Sequence, residues 1–296
     1  MIKDQAHKLR ELVKGKNNRH KDKKEQREGE FAHIYTVTSG KGGVGKTNFT
    51  VNLALSLQAK NKRVAVIDAD LGMGNIDVVL GLTPQYNLSH VINGQKGINE
   101  IIMKDPEGLS IIPGISGVEE LANLSEYQLQ NLIEGLENLE DNYDIILIDT
   151  GAGLSKTVIS FTLAADEIIV ISTPEPTSVT DAYGIIKVIA GYQENSKVNL
   201  VVNQIESNQE GNNISKRISK VAGDFLEIDL EVLGLIPSDK NVVKAVKKQC
   251  PFIIEFPNCQ AANAIKRIRN QLLDIEPEKN SGGVKSFFKK LIGLSS

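Results

Sequence analysis

Two lysines in one glycine-rich loop carry the chemistry that this chain announces most clearly. The loop is Gly40-Lys41-Gly42-Gly43-Val44-Gly45-Lys46-Thr47. An apolar, β-branched run, Ile34–Ser39, precedes it, and a segment with helical spacing, Gly45–Lys60, follows it. Strand, glycine-rich turn and helix in that order make a phosphate cradle. The glycines let backbone N–H groups curl around an anion, and the helix N-terminus adds a favourable dipole. Lys46, just before the hydroxyl residue, is placed to reach the β- and γ-phosphates of a nucleotide, and Thr47 to bind Mg²⁺. With Asn48 the eight loop residues form the expected nucleotide site. Lys41 is the unusual member. A second cation near the start of the loop can reach a phosphate held by a facing subunit, which turns a nucleotide pocket into a nucleotide-dependent dimer interface.

Acids stand where such a site needs them. Asp149 closes the run DIILID, as an acid does that holds Mg²⁺ through water. Asp68 and Asp70 close a second run, in VIDADLGMGN. An acid there can orient or deprotonate an attacking water, or contact the metal. One such acid alone could equally be a helix cap; three at the ends of buried strands beside this loop point to metal and water chemistry.

Positioning these groups takes a regular scaffold. Arg63–Asp68, Leu109–Ile112, Asp144–Asp149, Glu167–Ser172, Val198–Asn203 and Val232–Ile236 join Ile34–Ser39 as expected strands. Segments 125–139, 178–191, 212–223, 239–249 and 259–274 have helical patterns. Near-continuous apolar strands alternating with helices imply an α/β fold, a mostly parallel twisted sheet with helices on both faces. Ligands then sit at the carboxyl ends of the strands. The 296 residues suit one main domain, residues 31–275, with short appendages at 1–30 and 276–296. A net charge of -3 does not advertise nucleic-acid binding, and none is expected. Two cysteines, Cys250 and Cys259, make no disulfide framework and fit a reducing, cytoplasmic setting. No apolar run approaches bilayer-spanning length, and the first residues lack the apolar core of a secretion signal.

The lysine-bearing loop, VIDADLGMGN and DIILIDTGAG resemble the deviant Walker-A ATPases of the MinD/ParA family over roughly residues 31–270. The resemblance implies a P-loop, MinD-like fold binding ATP, ADP and Mg²⁺, and a homodimer formed with ATP. By it, Lys41 is the signature lysine that contacts nucleotide across the dimer. Lys46 is the phosphate lysine, and Thr47 and Asp149 are the Mg²⁺ residues. Asp70 activates the hydrolytic water, with Asp68 a second candidate near the metal. It also implies that Asn203, a plain turn residue on its own, contacts adenine, that Pro237 in GLIPSD flanks the base, and that TPEPTSVTDAYG (Thr173–Gly184) borders the dimer face. No arginine finger or glutamine is evident to complete the transition state, so hydrolysis is expected to be slow.

The two ends carry motifs of their own. In the last segment Val284, Phe287, Phe288, Leu291 and Ile292 form one apolar helical stripe, flanked by Lys285, Lys289 and Lys290. That composition suits an interfacial helix on an anionic membrane, paired and strengthened in a dimer. The same stripe could pack on the body, docked in the monomer and released in the dimer. At the other end Asp4, Gln5, Ala6, Leu9 and Arg10 spell D-Q-A-x-x-L-R, followed by a highly charged tether. This resembles the activator segment of flagellar MinD-like ATPases of the FlhG (YlxH) type, which stimulates the signal-recognition-type GTPase FlhF. The implied role is control of flagellar number and placement at the inner face of the cell membrane, with flagellar switch-complex proteins as further partners. The alternatives are a cell-division-site MinD, against which the long N-terminal extension argues, and a DNA-partition ATPase, which would need a basic surface. An iron–sulfur carrier is excluded by the late, nine-residue spacing of the cysteines.

Overall fold

The computed structural model describes residues 31–70, 76–114, 142–192, 197–226, 228 and 230–274, with positions 127, 128, 131, 139, 283, 284, 286, 287, 290 and 291. The chain divides into Met1–Phe31 and Ala32–Ser296, and the second unit is the folded body described here. The segment Asp4–Arg10, the expected helix 125–139 apart from four positions, and Lys285, Phe288, Lys289 and Ile292 lie outside the described residues.

An eight-stranded sheet forms the frame: β1 His33–Ser39, β2 Val64–Ala69, β3 Met103–Lys104, β4 Ser110–Ile112, β5 Ile145–Ala152, β6 Glu167–Ser172, β7 Lys197–Ile205 and β8 Leu230–Pro237. Their spatial order is β3-β4-β2-β5-β1-β6-β7-β8. Every neighbouring pair is parallel except β3 with β4. The described helices are α1 Lys46–Gln58, α2 Ile76–Leu80, α3 Leu88–Ile92, α4 Ile98–Ile101, α5 Lys156–Ala164, α6 Pro176–Tyr192, α7 Asn208–Leu226, α8 Lys240–Lys247, α9 Phe252–Glu255 and α10 Gln260–Asp274.

Strand alternation sorts the core into two sides. Val64, Val66, Ile145 and Leu147 join the cluster under α1, α9 and α10. Ala65, Ile67, Ile146 and Ile148 face the opposite cluster with α3, α4 and Phe161 of α5. Burial on both faces explains why the central strands read as unbroken apolar runs. The parallel β2–β5 pairing sets Asp68 opposite Asp149, so the two expected site acids stand side by side on neighbouring strands, although β5 runs on past Asp149 to Ala152.

The first helix is buried on all sides over its middle turns. Every residue from Phe49 to Leu57 is buried, because α1 is wedged between the sheet and α9 and α10. Its polar side chains are absorbed locally. Asn52 donates to the Asn48 carbonyl at 2.7 Å and accepts from Ile253 N at 2.8 Å. Ser56 accepts from the Arg269 guanidinium at 3.2 Å. The helix starts at Lys46 with Gly45 as its N-cap, and not at Gly45. The strand β7 runs on to Ile205, so Asn203 lies inside it and not at its end.

At the C-terminal end Val284, Phe287 and Leu291 are buried in the same cluster as Ala65, Ile146 and Phe161. The Phe161 and Phe287 rings lie 6.1 Å apart. Three of the five residues of the expected membrane stripe are therefore docked on the body, while Lys290 is exposed. Among the described residues no helix is long and apolar enough to cross a membrane.

Candidate functional site

The phosphate loop links the carboxyl end of β1 to α1, and its shape depends on glycine at defined places. Gly43 and Gly45 hold φ of 79° and 93°, left-handed values that cost side-chain-bearing residues energy. A Cβ on Gly40 would lie 2.4 Å from the Asp181 backbone, so α6 closes against the loop there. Val44 is buried in the core and leaves only its backbone for a ligand, while Gly42 and Gly43 are exposed.

The two lysines behave differently. Lys46 is 8% exposed and stands in the loop beside the buried acid of β5. Lys41 reaches sideways: its Nζ lies 2.7 Å from Glu175 Oε2 and 3.0 Å from Thr177 Oγ1, both at the start of α6. With side-chain exposures of 34% and 61%, Lys41 and Glu175 form a solvent-facing pair, easily exchanged for another partner.

Opposite the loop the acids converge. Asp149 is fully buried. Its Oδ1 accepts from Thr50 Oγ1 at 3.2 Å, and its Oδ2 has no hydrogen-bond partner. Burial pushes its pKa up to about 6, against the lowering pull of Lys46 and of hydrogen bonds from Thr47 and Thr50. Asp68 accepts from Asp70 N at 3.1 Å, and burial, with the charges of Asp149 and Asp70, raises its pKa to about 7. Asp70 lies beside the end of β5, because a Cβ on Gly151 would sit 3.4 Å from its Oδ1. An unsatisfied carboxylate oxygen beside a threonine hydroxyl, with acids held above their usual range, fits a divalent cation that would relieve both. Among the described residues no group of three or more His, Cys, Asp or Glu could cage a metal alone. That suits Mg²⁺, which is usually held by one or two protein ligands plus phosphates and water.

A cavity opens at the ends of β7 and β8. Pro237 lines this cavity, of about 390 Å³, with Ile205, Glu206, Ser207, Asn208, Gln260, Asn263 and Arg267. Asn203 stands between this cavity and the loop. Its Nδ2 donates to the Val44 carbonyl at 2.8 Å, and its Oδ1 accepts from Gln204 N at 2.9 Å.

The fold thus gathers Lys41, Lys46, Thr47, Asp68, Asp70, Asp149, Asn203 and Pro237 at one end of the sheet. Sequence reasoning missed Thr50 under Asp149, the Glu175 and Thr177 cradle for Lys41, and the grip of Asn203 on the loop. TPEPTSVTDAYG was singled out and holds Glu175 and Thr177. Nothing in the chain's periodicity marks Thr50.

An AAA domain family model matches residues 32–203, from the residue before β1 to the asparagine that grips the loop. Antiactivator FleN of Pseudomonas aeruginosa is 39% identical over 255 residues, covering 86% of this chain and 91% of its own length. The chain belongs to the MinD/ParA-type ATPases, in their FleN/YlxH group. The flagellum site-determining protein YlxH of Helicobacter pylori is 34% identical over 263 residues, covering 86% of this chain and 88% of its own length. Among solved structures, the MinC:MinD cell division complex of Aquifex aeolicus matches with a TM-score of 0.66 at 28% identity, covering 83% of this chain and 97% of that one. As a MinD-like ATPase the chain has its nucleotide loop, acids and β7 asparagine within the matched span.

Proposed function

We propose that this MinD-like ATPase is a switch that sets flagellar number and placement, driven by an ATP-bound homodimer. The observation that carries the switch is Lys41, an amine parked on Glu175 at the mouth of its own phosphate loop. A half-exposed pair of that kind is weak, and a triphosphate in a facing protomer offers Lys41 more negative charge. The flagellar assignment draws on the relatives, an antiactivator and a flagellum site-determining protein by name.

In this reading Gly40–Gly45 wrap the phosphates of ATP or ADP, Lys46 neutralises them, and Thr47 and Asp149 hold Mg²⁺ with Asp68 nearby. Mg²⁺, when bound, would offset charge developing on the phosphoryl oxygens. Asp70 orients the attacking water, Asn48 closes the loop, and the cavity beside Asn203 and Pro237 receives the base. Turnover is slow, so the ATP dimer acts as a timer. Dimerisation frees the stripe of Val284, Phe287, Phe288, Leu291 and Ile292, with Lys285, Lys289 and Lys290, for an anionic membrane. The protein then moves between the cytoplasm and the inner face of the cell membrane, and meets flagellar switch-complex proteins. Asp4, Gln5, Ala6, Leu9 and Arg10 engage the GTPase FlhF, with Gln5 ordering its water.

The test that separates this function from those of MinD and partition relatives uses the N-terminal segment. A peptide of residues 1–20 should accelerate GTP hydrolysis by FlhF, and Gln5→Ala should remove the effect. No acceleration by either the peptide or the full chain would overturn the flagellar reading.

A further inference from the structure

Thr50 is fully buried on α1, one turn beyond Lys46 and Thr47. Residues at those spacings share one face of a helix. That face meets β5, where Asp149 is also fully buried. The Thr50 Oγ1 lies 3.0 Å from the Lys46 carbonyl oxygen and 3.2 Å from Asp149 Oδ1. A hydroxyl has one proton to give. In the middle of a helix that proton commonly goes to the carbonyl four residues back, and a threonine that did only this would need no carboxylate beside it. Here the carboxylate stands within reach as well, and an ionised acceptor takes the stronger hydrogen bond.

The consequence falls on the other carboxylate oxygen. The last torsion of an aspartate is broad and roughly two-fold, so the side chain does not fix its own oxygens. Holding Oδ1 against α1 fixes Oδ2 too. That atom is buried and has no hydrogen-bond partner, which leaves it for a cation or the water of a cation. Thr47 also hydrogen-bonds Asp149, but it stands at the phosphate loop, where it is itself a candidate metal ligand. Thr50 has no exposed surface, and both of its contacts are to protein atoms. It can act on a bound cation only through Asp149.

We propose that Thr50 is a positioning residue for the Mg²⁺ site, its hydroxyl holding Asp149 Oδ1 against α1 so that Oδ2 is presented to the cation and its water. The inference rests on reading Asp149 as the acid of that site.

The experiment is a Mg²⁺ titration of the full chain at a fixed concentration of a fluorescent ADP analogue, with a parallel titration of the analogue in EDTA. It compares wild type with Thr50→Val, Thr50→Ala and Thr50→Ser. Valine keeps the volume and removes the hydroxyl; serine keeps the hydroxyl and removes the methyl group. Losing a group that orients a metal-binding side chain costs about 10–100-fold in metal affinity. Thr47 still bonds Asp149, so the low end applies. Thr50→Val and Thr50→Ala should raise the Mg²⁺ midpoint about ten-fold, Thr50→Ser should stay within about two-fold of wild type, and binding of the analogue in EDTA should not change. A wild-type midpoint in folded Thr50→Val, or in Thr50→Ala where the valine variant does not fold, would overturn the proposal. So would a serine variant as impaired as valine, since the methyl group and not the hydroxyl would then matter. A lower melting temperature with an unmoved Mg²⁺ midpoint would reduce Thr50 to packing alone. Wild-type protein that binds the analogue equally well with Mg²⁺ and with EDTA would overturn the Mg²⁺ reading itself, and the proposal with it.

Discussion

Replacing Phe161 with leucine should drive the protein onto anionic vesicles without nucleotide. Val284, Phe287 and Leu291 are at most 2% exposed in the docked state. Fully burying three such side chains is worth about 1.5–3 kcal/mol each, so docking gains roughly 4–9 kcal/mol before ordering costs. Inserting the same side chains into a bilayer gains a similar amount. Lys285, Lys289 and Lys290 add about 1 kcal/mol each near an anionic surface. Groove and membrane therefore compete within a few kcal/mol, and a small change in one is readable in the other. The Phe161 ring lies 6.1 Å from the Phe287 ring, and such a pair contributes about 0.5–1.5 kcal/mol beyond its area. Phe161→Leu removes that contact and leaves the C-terminal segment intact. Losing about 1 kcal/mol of docking should raise the vesicle-bound fraction about five-fold in a sedimentation assay with phosphatidylglycerol vesicles. Deleting residues 284–296 should abolish binding in both backgrounds. If Phe161→Leu stays folded and binds as weakly as wild type, while the deletion still removes binding, the groove does not restrain the segment and the argument fails.

Glu175→Gln should favour the dimer by releasing Lys41. A half-exposed pair is worth about 0.2–1 kcal/mol, and each dimer breaks two. Dimerisation with a non-hydrolysable ATP analogue should then tighten about two- to thirty-fold by analytical ultracentrifugation; weaker association would mean that Glu175 makes a contact within the dimer. The paired acids predict a pH effect on the nucleotide-free protein. Burial raises Asp68 to about 7, so between the unfolded carboxylate range and pH 7 the folded state holds the extra proton. Stability should therefore fall as pH rises from about 4 to 7, by up to about 4 kcal/mol from Asp68, less near its water-exposed edge. Asp68→Asn should flatten that slope in urea melts at pH 4.5 and 7.5; an unchanged slope would remove the account of Asp68 as a buried acid held above its usual range.

The parts legible in the sequence were those with local signatures. The loop carries its motif in eight residues, and β2, β5 and β6 are buried on both faces, so their apolar runs were unmistakable. Helices α2, α3, α4 and α9 span four or five residues, too short for a periodicity to develop. The antiparallel β3 has two residues. The helical spacing of α1 was legible, but the burial of Thr50, Asn52 and Ser56 was not, because each is hydrogen-bonded inside to a partner that spacing does not reveal. Contacts such as Lys41 with Glu175 join positions far apart in the chain, which no spacing rule reaches. Asn203 resembled a turn residue because its partner is a loop carbonyl distant in sequence. The C-terminal stripe shows the deeper limit, since a face apolar enough for a bilayer is apolar enough for a groove.

The central claim is that Lys41 joins two protomers through bound ATP. Light scattering on a sizing column, with Mg²⁺ and saturating nucleotide, tests it most directly. Wild type should run as a dimer with a non-hydrolysable ATP analogue and as a monomer with ADP, and Lys41→Gln should remain a monomer while still binding the analogue. A wild-type monomer saturated with the analogue, or a Lys41→Gln dimer as stable as wild type, would contradict the account.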